Sequence, residues 1–60
     1  MLKRIVILDP NGVEVAKGEA SDRIVGWGAV VEACFDQLAK EVRRENPKLG
    51  TYTVTVKEVE

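Results

Sequence analysis

Apolar residues open the chain on both phases of a two-residue alternation. In Leu2 to Leu8 (LKRIVIL), Ile5 and Ile7 fall on one phase and Leu2, Val6 and Leu8 on the other, which predicts a strand packed on both sides. Asp9-Pro10-Asn11-Gly12 then interrupts the run. Proline presets φ at the second turn position, and Gly12 can take the left-handed conformation that closes a type I turn with a G1 bulge. Val13 to Lys17 resumes the alternation, so the first twenty residues read as a hairpin. With Asp9 and Val13 flanking the loop, the expected pairs are Ile7 with Val15 and Ile5 with Lys17 on one face. Leu8 with Glu14, Val6 with Ala16 and Arg4 with Gly18 fall on the other.

From Ser21 or Asp22, either a good N-cap, the period lengthens to about 3.6 and runs to Asn46, where Asn46-Pro47 ends it. Ile24, Trp27, Val31, Cys34, Phe35, Leu38 and Val42 form one stripe, the expected core face. On the opposite side the C-terminal half is solvated (Asp36, Gln37, Lys40, Arg44), whereas the N-terminal half is Gly26, Ala29, Val30 and Ala33. Glycine inside a helix costs about 1 kcal/mol relative to alanine, so a close backbone approach is one reason for its presence. The competing reading starts the helix near Gly28, after an extended or turn segment from Arg23 to Trp27. Thr51 to Val59 is a strand with Tyr52, Val54 and Val56 on one face and Thr51, Thr53, Thr55 and Lys57 on the other.

The order ββαβ predicts one α+β domain spanning residues 1–60: a three-stranded mixed sheet of order 2-1-3 with one long helix on one face. The last strand is expected parallel to the first across a right-handed crossover. A helix from Asp22 to Glu45 would be about 36 Å long against about 23 Å for a seven-residue strand. Its end would overhang the sheet, and completing the fold by oligomerisation would cover it.

Composition narrows the picture. A chain of 60 residues buries only about 60% of the surface its unfolded form exposes, so it needs supplementing. Cys34 is the single cysteine and there is no histidine, which leaves no internal disulfide and no plausible structural zinc site. A net charge of −1 and an isoelectric point near 5.4 provide no general attraction for nucleic acid or anionic lipid. The longest apolar stretch, Ile24 to Val31, is too short to span a bilayer, and the first residues do not show the charged-then-apolar pattern expected of a signal peptide. A cytoplasmic protein is expected.

Candidate chemistry is sparse. Gly26-Trp27-Gly28 matches the start of a dinucleotide-binding fingerprint, but Val31 stands where the third glycine belongs and no suitable strand precedes it. Cys34 has no histidine to act as its base, so it reads as a small core residue. Glu32, Asp36, Glu41 and Glu45 lie among Lys40, Arg43 and Arg44, which describes a solvated, charge-laced face. Lys40, Arg43, Arg44 and Lys48 suit a helix C-terminus. Trp27 and Tyr52 are the amphipathic aromatics, with Trp27 at the edge of the core stripe and the Tyr52 hydroxyl expected at a rim.

No catalytic, cofactor-binding or metal-binding residue stands out, and no small-molecule substrate is evident. The expectation is a non-enzymatic interaction module that self-associates as a homodimer. Its interface would draw on Gly26, Trp27, Ala29, Val30 and Ala33 of the helix, or on Leu2, Val6 and Leu8 of the outer sheet face. The alternatives are a binder or inhibitor of a larger host protein, of the kind that viruses and mobile elements encode, and a designed scaffold without natural function.

Overall fold

The computed structural model describes residues 1–21, 26–44 and 50–59. It contains β1 (Leu2–Leu8), β2 (Glu14–Ser21), α1 (Gly26–Val42) and β3 (Thr53–Glu58). The sheet order is β2-β1-β3, with the strand that is apolar on both phases at its centre.

All pairings are antiparallel, β1 with β2 and β1 with β3, so the expected mixed sheet is corrected. The reason is direction. β2 runs back along β1, α1 returns along β2, and β3 must then run with β2 and against β1. The crossover joins β2 to β3, and β1 lies between them as an antiparallel insert.

The hairpin turn forms as its residues dictate. The Asp9 amide donates to the Val13 carbonyl at 2.8 Å and the Gly12 amide to the Asp9 carbonyl at 2.9 Å. Gly12 has φ +81°, the left-handed geometry that a G1 bulge demands. Asp9 is buried. One oxygen of its carboxylate, Oδ1, accepts from the amides of Asn11 at 2.9 Å and Val13 at 2.8 Å, which satisfies donors that the tight turn leaves over.

Beyond the turn the expected register is overturned. Leu8 opposes Glu14, but a bulge follows, and Ile7 opposes Ala16 while Ile5 opposes Gly18. Val15 is the extra residue, and every later side chain of β2 changes face. Ala16, Gly18 and Ala20 now share the face of Ile7, Ile5 and Lys3. Lys17 and Glu19 turn to the other side, where Arg4 Nη2 meets Glu19 Oε1 at 3.2 Å. Without the bulge, Lys17 would sit beneath the helix at the desolvation cost of an unpaired charge.

α1 packs on this small-residue face. It lies against β2 and, less extensively, β1, and makes no close approach to β3. A Cβ on Gly18 would stand 2.5 Å from Val30 Cγ1, so at Gly18 the strand backbone leaves the helix no room for a side chain. Ile5, Ile7 and Cys34 are the buried apolar side chains among the described residues, with Val15, Ala16, Trp27, Val30, Val31 and Leu38 packed around them.

α1 is shorter than expected. Gly26 and Trp27 are helical, whereas Asp22 to Val25 lie outside the described residues. Regular helix ends at Val42 rather than Asn46, and Arg43 donates to the Ala39 carbonyl at 3.2 Å just past that end. Seventeen residues span about 25 Å, close to the ~23 Å of β1. The overhang expected of a helix from Asp22 to Glu45 involves residues outside the described ones.

The close-approach explanation of the helical glycines fails for Gly28, where an added Cβ meets nothing. Gly28→Ala is therefore expected to raise the unfolding free energy by about 0.5–1 kcal/mol through helix propensity alone, measurable as a higher urea midpoint with unchanged m-value.

Candidate functional site

Placing α1 over β2 leaves one flank of the molecule open. In the register of β1 with β3, Ile7 opposes Val54 and Ile5 opposes Val56, so both valines lie on the face that α1 partly covers. Their β1 partners are buried, yet Val54 is 42% and Val56 51% exposed. On the helix, Phe35 is 44% and Val42 46% exposed. By the 100° helical step, Phe35 and Val42 lie on the flank opposite Ala33 and Gln37, the side away from the β2 edge. Four aliphatic or aromatic side chains expected in the core thus remain in contact with water. Every residue of β3 is exposed.

The residues expected at an interface are dispersed. Trp27 and Val30 pack against the core cluster. Gly26 is half-buried, while Ala29 and Ala33 are exposed. Ala33 and Val30 border a shallow depression at the β2 side, together with Ala16, Gly18, Cys34 and Gln37. Leu2, Val6 and Leu8 lie on the opposite sheet face, half-buried. Their cross-strand neighbours there are Lys17, Glu14 and Ser21 of β2 and Thr53 and Thr55 of β3, so that surface is an apolar strip in a polar frame.

The remaining candidates are structural. Gly26-Trp27-Gly28 is the first turn of α1 rather than a loop. Glu32 and Asp36 are exposed on the helix, and Arg44 Nη1 binds Glu41 Oε1 at 2.7 Å. Glu45 and Lys48 lie outside the described residues. The Tyr52 hydroxyl is shielded from solvent, contrary to its expected place at a rim, and has no hydrogen-bond partner among the described residues. No three potential metal ligands converge among the described residues, and no described helix is long and apolar enough to cross a membrane.

Cys34 is buried, and desolvation pushes its thiol above the usual 9.0. Native protein should react with a thiol reagent at least about 100-fold more slowly than denatured protein, since labelling requires opening of the core. The linkage has a definite sign. Above pH 9.0 the unfolded thiol ionises while the folded one holds its proton, so this contribution is complete below that pH and declines above it. The wild-type unfolding midpoint should therefore fall more steeply at alkaline pH than that of Cys34→Ala.

The signal that could have located the open flank was Ala16-Lys17-Gly18-Glu19-Ala20, which alternates small with charged residues and marks where a helix can sink onto a strand. Compared with protein-family models, curated proteins and solved structures, the chain matches none.

Proposed function

We propose that this chain is a small non-enzymatic protein–protein interaction module that self-associates as a homodimer through the open flank beside α1. The observation that carries the reading is the exposure of Val54 and Val56, which continue the face of the buried Ile7 and Ile5. With Ile5, Ile7 and Cys34 the only buried apolar side chains among the described residues, the domain gains from any contact that removes these valines from water. A non-enzymatic role is supported by exposed carboxylates and by a buried thiol that has no imidazole to activate it.

Sedimentation equilibrium from low micromolar to near-millimolar concentration tests the proposal. The expected result is an average mass that rises toward twice that of the chain. Val56→Lys should return it to the monomer mass with an unchanged far-UV spectrum, because half of that side chain is already in solvent. Monomer throughout the range for the wild-type chain would remove the reading.

A further inference from the structure

The sheet has two edges, and they differ. β2 carries a bulge at Val15, a glycine at 18, and Lys17 and Glu19 flanking that glycine, features that discourage another strand from pairing. β3 has neither bulge nor glycine, and its two charged residues, Lys57 and Glu58, lie together at its C-terminal end. Its six residues, Thr-Val-Thr-Val-Lys-Glu, pair with β1 without irregularity and contain neither glycine nor proline. It is a straight β-branched edge, exposed throughout.

That edge is also self-complementary. Resting on the self-association proposed above, we infer that two copies pair antiparallel along β3, with Thr55 facing the Thr55 of the second copy on a two-fold axis, to form one six-stranded sheet. This register sets Val54 against the second copy's Val56, twice, on the helix-bearing face. On the other face it sets Thr53 against Lys57 and Thr55 against itself. Moving the axis to Val56 would put Glu58 against Val54 and leave one valine pair, Val56 with itself, in place of two. An in-register parallel pair would place Lys57 beside Lys57 and Glu58 beside Glu58, and like charges side by side are destabilising. The antiparallel pair holds the two Lys57 about 14 Å apart, beyond the ~8 Å screening length at physiological salt.

The geometry ranks the contributions. With α1 over β2 and β1, the two helix axes would lie about four strand spacings, or ~19 Å, apart, whereas touching helices lie 8–10 Å apart. The helices do not meet. The backbone ladder and the valine pairs carry the association, and Phe35 and Val42 wall a trough above them. A contact of one short strand per copy falls below the ~1,200 Å² of a standard interface, so the dimer is a weak, concentration-dependent one.

Disulfide trapping decides the register. Thr55 is exposed on the face away from α1, and directly opposed residues of an antiparallel pair have Cα atoms ~4.5–5.5 Å apart, within disulfide range. Under mild oxidation with diamide, Thr55→Cys should form a covalent dimer at least about tenfold faster than Lys57→Cys, whose own copies stand too far apart to bridge. An equimolar mixture of Thr53→Cys and Lys57→Cys should yield the mixed dimer, and the wild-type chain, with Cys34 buried, should stay uncrosslinked. Circular dichroism confirms that each variant is folded. Equal crosslinking of Thr55→Cys and Lys57→Cys, alongside a wild-type dimer in sedimentation, would overturn the edge pairing and leave self-association by another face. A wild-type chain that stays monomeric, with no preferential crosslinking, would overturn both and leave the β3 edge to a strand of a different protein.

Discussion

Gly18→Ala is expected to destabilise the fold by about 2–3 kcal/mol, enough to lower the melting temperature by roughly 10 °C or more in a domain of this size. The added Cβ would stand 2.5 Å from Val30 Cγ1, more than 1 Å inside the distance at which carbon atoms attract. Val30 cannot readily turn aside, because a β-branched side chain in a helix has one strongly preferred χ1. The strain therefore passes to the helix axis. Lifting α1 off β2 also draws Cys34 away from Ile5 and Ile7, so the loss extends beyond the single contact. The check is thermal and urea unfolding at fixed protein concentration, since self-association would couple concentration to apparent stability. Val30→Ala should rescue part of the loss, giving a double variant that is more stable than the sum of the two single changes by about 1–2 kcal/mol. Lys17→Ala, one position away on the other face, should stay within ~0.5 kcal/mol of wild type. A neutral Gly18→Ala would show that α1 does not seat on Gly18.

The same position explains how far the sequence could be read. The turn at Asp9 to Gly12 was legible because each residue has a backbone requirement of its own, and Gly12 has the positive φ that its place demanded. The central position of β1 was legible from Ile5, Ile7, Leu2, Val6 and Leu8 lying on both phases. Strand direction is a matter of topology rather than of pattern: the reversals at the hairpin and on either side of α1 set β3 against β1, not parallel to it as the crossover suggested. The register of β2 was not legible from alternation, because Val13 and Val15 belong to one phase and Ala16, Gly18 and Ala20 to the other. Apolar content favoured the first phase. Shape decided for the second, since only small residues let α1 approach closely enough to bury Cys34 over Ile5 and Ile7. The open flank follows from that choice: a helix drawn toward β2 leaves Val54 and Val56 without cover. Local pattern specifies what each strand offers, whereas the placement of the helix depends on which strand it can approach most closely.

Asp9→Ala should cost about 2–3 kcal/mol, while Asp9→Asn should cost less than about 1 kcal/mol. Both side-chain bonds of the turn, from the amides of Asn11 and Val13, end on the same oxygen, Oδ1. An amide oxygen in that place can accept both, so asparagine keeps these two bonds at the strength of an uncharged acceptor. Alanine leaves two backbone donors of a tight turn without their acceptor, at a site where the native residue is buried. The consequence reaches beyond local stability because this turn sets where Leu8 meets Glu14, and the bulge at Val15 is counted from that point. A loosened turn lets β2 slip by one residue toward the register in which Lys17 faces α1, so part of the Asp9→Ala population should lose the Arg4–Glu19 pair and the protection of the β2 amides. Urea unfolding measures the first effect and amide hydrogen exchange the second. If alanine and asparagine proved equally costly, the Oδ1 bonds would not be what holds the turn.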